Sequence, residues 1–392
     1  DKYGSRGVMT RIVLWWSAFT VLTGCVMKFS LDSGVRLTVP GTDWQVPLLI
    51  DSFVMLLIIR FLFGAGEAGA LPNAARVVTR WFPPDRRGPA QGLINTSMLI
   101  GGAFVPTVTA ELIEVEWIGW RGVFFLYGSL GILWAAAFYW WFVDNPAENP
   151  AVNEAELRLI GERSSSAAHE PIPWRLVLTS PNVWLLGGVI TCSAFSSYLY
   201  YFWYPKYLQA ARGVSQVDSG RLTSLVLVLG AIGGTVGGYV ADWSRRRTGE
   251  RRWCRRAAGS TGLMFAAVAL AASVMCDWPI AVALCTGLAA FCAMMTISTW
   301  WAVVSEISGK HLGALFGLMN SMGVIGAGGS QLFFGSFADW MEGRGYTGRA
   351  QWDPGFYVIC CVLLVGAVGW LLVDPTVSVV EPREAASPQG SD

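Results

Sequence analysis

Ten stretches of this chain are each apolar for about the length needed to cross a bilayer as a helix, and no soluble fold has a use for ten of them. They fall near residues 8–27, 47–70, 90–111, 121–143, 182–205, 217–241, 256–276, 279–302, 313–337 and 354–373. Composition agrees: hydrophobic residues make up 53% of the 392 and charged residues only 14%, with 20 Trp and 20 Phe. The expected fold class is an all-α polytopic membrane protein. Lys and Arg concentrate in every second loop, which by the positive-inside rule puts the N-terminal residues and the tail after Pro375 on the cytoplasmic side. The eight cysteines show no disulfide or metal spacing, and His169 and His311 lie in loops. A metal site, a nucleophile–base pair or an intramembrane histidine relay therefore has nothing to be built from, and neither an enzyme nor a cofactor is expected.

The polar stretch from 144 to 181 divides the runs into four and six. It carries Pro146, Pro150, Pro171 and Pro173, and it reads as a cytoplasmic linker with a short helix from Asn153 to Arg163. Two echoes link the parts. Asp1-Lys-Tyr-Gly4-Ser-Arg6 resembles Gly238-Tyr-Val-Ala-Asp242-Trp-Ser-Arg245, each beside a span, and Arg121-Gly122-Val-Phe124 opens one span as Pro354-Gly355-Phe356 opens another. Together they imply an internal repeat of six helices. On that reading 1–143 holds helices 3–6, 182–373 holds helices 7–12, 374–392 is a cytoplasmic tail, and two opening helices precede residue 1. The arginine-rich loop 242–256, with Trp243 and Trp253 interleaved, is assigned to anionic lipid rather than nucleic acid because it joins two spans.

Within the second run, Arg60 and Glu67 stand at i and i+7, so they share a helix face about 10 Å apart along the axis. Ionisable residues inside a span are costly and by default mark a transport or proton path, although a static pair that holds helices together is the alternative. Glu67 is the sharper candidate, since a carboxylate in a poorly solvated cavity takes up or releases a proton as a neighbouring charge comes and goes. Asp51, in the same run, falls on the opposite face and is expected near the outer interface.

The Asp-Lys-x-Gly-x-Arg signal of residues 1–6 and the Arg60…Gly64 spacing resemble the signatures of the major facilitator superfamily. Gly66-Glu67-Ala-Gly69-Ala-Leu-Pro72, Arg80-Trp81-Phe82-Pro83-Pro-Asp-Arg86 and Phe202-Trp203-Tyr-Pro205-Lys206 are similar to its anion:cation symporters, hexuronate and sugar-acid carriers most of all. The resemblance implies two six-helix halves, a small organic anion moved with protons by alternating access, action as a monomer, and a bacterial inner membrane as the location. It also implies that Glu67 carries the coupled proton and that Asn320 faces substrate. Met98 stands where related galactonate carriers place a Gln, which leaves the particular sugar acid open.

From the residues themselves, Tyr200 and Tyr201 sit deep enough in the seventh helix to hydrogen-bond a sugar acid, with Pro205 beyond them as a bend. Asn95 and Ser97, Thr296, Ser298 and Thr299, and Asn320 and Ser321 are polar groups inside apolar runs; each fits substrate contact or ordinary interhelical bonding. The combined expectation is an anion docked between the halves near Arg60, Asn95, Tyr200, Tyr201 and Asn320. Asp1 with Arg6 and Asp242 with Arg245 form the cytoplasmic gate contacts. The glycine-rich stretches 230–238 and 323–329 follow no strand and read as close helix packing, not nucleotide loops. Another carboxylate, an aromatic acid or a phosphate ester as substrate, and a membrane sensor that transports nothing, remain as alternatives.

Overall fold

The computed structural model describes residues 4–38, 45–83, 86–160, 173–248, 251–308 and 311–376. By the contacts its segments make, the chain forms two units, one of residues 1–97 and 109–167 and the other of residues 98–108 and 168–392. Among the described residues nine stretches are long and apolar enough to cross a membrane. A further helix, Leu312–Gly343, covers the apolar run at 313–337.

In the first unit, α1 (Ser5–Cys25) leads into an antiparallel hairpin of β1 (Ser30–Thr38) and β2 (Gln45–Asp51), with Ser30 opposite Asp51, Thr38 opposite Gln45, and a register shift between Asp32 and Arg36. Pro47 is tolerated there because both strands of a two-stranded ribbon are edges. The apolar run expected as a helix from residue 47 therefore begins as a strand, and the helix α2 spans Ser52–Glu67. Asp51 marks the boundary. Its carboxylate accepts from the amides of Phe53 and Val54, both at 3.0 Å, so it caps the helix rather than lying within it. After Glu67 the chain turns through Ala68 and Gly69 into α3 (Ala70–Trp81). The Trp15 indole donates to the Leu62 carbonyl at 2.7 Å and lies against Gly66, where any side chain would strike its ring.

Next come α4 (Arg87–Glu114) and α5 (Gly119–Trp141), the latter entered through Gly119 at φ +52°. Helix α5 lies along α1 with Val13, Val123 and Ala135 buried between neighbours, and a Cβ at Gly128 would sit 2.9 Å from the Ser17 carbonyl. The short linker helix α6 runs over Glu154–Ile160, and the Asn153 side chain accepts from the Glu156 amide at 2.8 Å at its start.

The second unit begins with α7 (Trp174–Thr179) and α8 (Pro181–Tyr198), a π-turn over Leu199–Trp203, and α9 (Tyr204–Arg212). Pro205 explains the π-turn. It has no amide to give the Tyr201 carbonyl and its ring crowds that carbonyl, so the chain widens by one residue and the Tyr204 amide reaches back to Leu199. Long helices complete the unit: α10 (Gln216–Thr248), α11 (Arg251–Met275), α12 (Pro279–Ile307), and α13 (Leu312–Gly343) followed by α14 (Arg349–Leu372).

The two glycine stretches are packing seams, as their sequence indicated. A Cβ at Gly233 would collide with the Phe291 backbone, and one at Gly237 with the Met295 backbone, so α10 and α12 touch main chain to main chain. The Ser298 hydroxyl donates across the same seam to the Gly234 carbonyl at 3.0 Å. On the other side, Gly326 meets the Thr191 backbone and the Thr191 hydroxyl donates to the Met322 carbonyl at 3.0 Å. Leu186, Leu263, Leu270, Phe356 and Trp370 fill the middle of the unit.

Polar clamps close both ends of this unit. At one, Arg212 lies 3.7 Å from Asp353 and donates to the carbonyls of Cys276 and Val274, while Arg349 pairs with Asp353 at 3.1 Å and Asp277 at 2.6 Å. At the other, the Asn182 side chain donates to the Asp374 carbonyl at 2.7 Å and accepts from its amide at 2.8 Å. Arg252 pairs with the Asp374 carboxylate at 3.1 Å, and Arg255 with Glu306 at 3.0 Å.

Candidate functional site

Arg60 lies about two turns, or roughly 12 Å, along α2 from its start. Its guanidinium sits over the rings of Phe63 and Phe124 at 5.7 and 5.5 Å. The same side chain lines a cavity of about 910 Å³ formed within the first unit by α1, α2 and α5, together with Thr23, Ser52, Leu56 and Trp120. Two more cations line it: Lys28 just beyond the end of α1, and Arg121 in the first turn of α5. Arg121 stacks on Trp120 at 4.4 Å and donates to the Val26 carbonyl at 3.1 Å. Among the described residues that line this space none is acidic.

That composition sets the chemistry. Aromatic faces hold the guanidinium groups by their negative quadrupoles without neutralising them, so most of the Arg60 and Arg121 N–H donors stay available to an incoming acceptor. Glu67 is the last residue of α2 and is exposed, at the turn leading into α3. It does not pair with Arg60, and the two charges are held apart on one helix.

In the second unit, Tyr200 and Tyr201 line a smaller cavity of about 80 Å³ with Met98, Gly102, Val226 and Met294. Tyr200 is fully buried in the π-turn and its hydroxyl meets no partner among the described residues, whereas Tyr201 is 41% exposed. Asn320 is exposed on α13. Most of the other polar residues picked out in apolar runs spend their hydroxyls on carbonyls: Ser97 on Leu93, Thr296 on Ala293, Ser298 on Gly234 and Ser321 on Gly317.

Of the gate residues, Arg6 donates from Nε to the Tyr139 carbonyl at 2.6 Å and stacks over the Tyr139 ring at 4.3 Å, at the end of α5. Its backbone amide donates to Asp144 at 2.9 Å. Asp1 lies outside the described residues, as do the side chains of Asp242, Arg245 and Asn95, whose backbones belong to α10 and α4. Sequence reasoning passed over Lys28 and Arg121 as anion-facing groups. The signal was there: both are cations beside the same ends of spans as the start of the Arg60 helix.

Bilayer-length helices, a cavity lined by three cations and a glycine-seamed helix pair are the parts of a membrane carrier. The chain belongs to the Major Facilitator Superfamily, whose profile it matches over residues 1–331. It is 31% identical over 390 residues to a Cupriavidus necator protein named "Probable sulfoacetate transporter", covering 98% of this chain and 82% of that one. It is 28% identical over 409 residues to a Bacillus subtilis protein named "Probable galactarate/D-glucarate transporter", covering 100% of this chain and 82% of the other. In fold it is similar to a bacterial homolog of the human lysosomal transporter Spinster in an inward-facing, unoccupied conformation, with TM-score 0.72, 18% identity, and 96% and 84% of the two chains covered.

Proposed function

We propose that this transporter moves a small organic anion, a hexuronate or related sugar acid, inward with protons by alternating access. The observation that carries the reading is the cavity around Arg60, lined by three cations and by no acid among the described residues. A site of that charge has a use for an anion and none for a cation. The similarity to proteins named for sulfoacetate and for galactarate and D-glucarate supports the same class, and the first of these keeps a small sulfonate or other carboxylate open as the alternative cargo.

In this reading Arg60 anchors the anion, Tyr200, Tyr201, Asn95 and Asn320 bond its hydroxyls, and Glu67 carries the coupled proton. Arg6 and Arg245, with Asp1 and Asp242, order the cytoplasmic ends. The two repeats correspond to 1–143 and 182–373, the protein acts as a monomer in a bacterial inner membrane, and the tail is cytoplasmic. The positions of Glu67 at an exposed helix end and Arg60 in the cation-lined cavity support separate duties for the two charges.

The test is uptake of labelled galacturonate, galactarate and sulfoacetate into proteoliposomes, with and without an inward proton gradient. Gradient-driven accumulation of at least one is expected. The Glu67→Gln variant should lose accumulation yet keep counterflow exchange, because exchange does not need net proton turnover. No accumulation of any of the three would sink the symport reading for this class.

A further inference from the structure

The turn between α11 and α12 brings together two sulfurs that no spacing signal connects. Cys276 follows the last residue of α11, and a side chain there leans back over the preceding turn. Its thiol donates to the Ala272 carbonyl at 3.4 Å, and in that pose its sulfur stands 3.9 Å from the sulfur of Cys285 on α12. Both residues are half-buried, but the turn itself is open: Met275 and Trp278 are 79% and 76% exposed. The backbone that carries Cys276 is already held. Arg212 donates to the Cys276 carbonyl at 2.6 Å, and both Arg212 and Arg349 donate to the Val274 carbonyl.

A disulfide places its sulfurs about 2 Å apart, so these two have about 1.9 Å left to close. A rotamer change at one Cys carries its sulfur about 3 Å, more than that gap. We propose that Cys276 and Cys285 are a disulfide-forming pair that staples α11 to α12 beside the Arg212 clamp. The reaction is thiol–disulfide exchange, with a small or protein-borne disulfide as the oxidant. The Cys276 thiolate, at the open turn, attacks one sulfur of the oxidant and expels the other as a thiolate. The Cys285 thiolate then attacks the Cys276 sulfur of the mixed disulfide and expels the second. Both thiol protons pass to the departing thiolates, and the oxidant takes up the two electrons released as the new S–S bond forms. The charge distribution that puts the arginine-rich loop before α11 on the cytoplasmic side puts the far end of α11 outside, where disulfides persist. The bond closes a short loop around Asp277, the partner of Arg349, and so ties α12 to the clamp through side chains as well as through the turn.

Thiol counting on the whole protein tests this. Cells expressing it are denatured directly in excess N-ethylmaleimide, with or without prior reduction, and the purified protein is weighed intact. Wild type should carry two more maleimides after reduction than before, whereas Cys276→Ser and Cys285→Ser should each carry the same number in both states. Because labelling is done on unfolded chain, a variant that folds poorly still gives a count. A second measurement reads the staple itself. Reduction should lower the thermal midpoint of wild type in detergent by at least about 3 °C and leave the double variant Cys276→Ser/Cys285→Ser unmoved. Equal maleimide counts for wild type before and after reduction, both from cells and after incubation with oxidised glutathione, overturn the pairing. A reducible bond that survives in either single variant overturns it too, and a thermal midpoint that reduction moves equally in wild type and double variant overturns the staple.

Discussion

Two adjacent glycines in α10 offer a sharp check on how the second unit is held together. A Cβ at Gly233 would stand 2.6 Å from the Phe291 Cα and 2.7 Å from its carbonyl carbon, whereas one at Gly234 would find its nearest neighbour, the Met294 carbonyl oxygen, at 3.9 Å. Both substitutions to Ala bring the same gain in helix propensity, about 1 kcal/mol, so the difference between them isolates the seam. Moving backbone from 2.6 Å to ordinary contact separates the helices by about 1 Å, an overpacking cost of about 1–3 kcal/mol, and the Ser298 bond to Gly234 is lost with it at about 1 kcal/mol. Gly233→Ala should therefore be less stable than Gly234→Ala by about 2–4 kcal/mol in reversible unfolding in mixed micelles. The next pair repeats the experiment: Gly237 faces the Met295 backbone, and Gly238 has nothing nearer than the Ser298 hydroxyl at 3.7 Å. Equal stabilities within either pair would refute main-chain contact between α10 and α12.

Tyr200→Phe removes a fully buried hydroxyl that meets no partner among the described residues, so the variant should gain about 1–2 kcal/mol in the same assay while uptake falls; a loss of stability would show instead that the hydroxyl is satisfied. The clamp at Asp374 predicts a pH dependence. Burial alone would raise this carboxyl, but the Thr376 hydroxyl and amide, followed by Arg252 and Arg256, bring it below its ordinary 3.8. Its contribution is thus present above about pH 4 and is lost as pH falls through the lowered folded value. Because solvent screens this partly exposed group, the amount is at most about 1 kcal/mol, seen as wild type losing more stability than Asp374→Asn over that acid interval.

The helical architecture was legible because bilayer-length apolar runs have few other uses. The glycine seams were legible because small residues repeated in a span serve close approach and little else. What could not be read was where a run stops being helix. The residues from Pro47 to Ile50 are as apolar as those after them, yet they pair with β1, and only the Asp51 cap shows in hindsight where the helix starts. The π-turn was half legible: Pro205 announced a bend, but the widening of the chain depends on how the freed Tyr201 carbonyl is accommodated. At the candidate site, intramembrane charge picked out Arg60 and Glu67. Lys28 and Arg121 escaped because cations near helix ends are ordinarily interfacial anchors, and only the cavity distinguishes them.

The π-turn between α8 and α9 also fixes the chain's length there to the residue. Each residue added to or removed from an α-helix turns the remainder of that helix by about 100°. The widened turn absorbs one such step, which is why Tyr204, Tyr207 and Leu208 of α9 face the interior and Arg212 arrives beside Asp353. Deleting a single residue between Leu199 and Trp203 would remove the extra residue of the widened turn and swing Arg212 about a quarter-turn from its partner. Insertions and deletions are therefore barred from this turn in a way that substitutions are not, and descendants of this sequence that keep Pro205 are expected to keep the count before it.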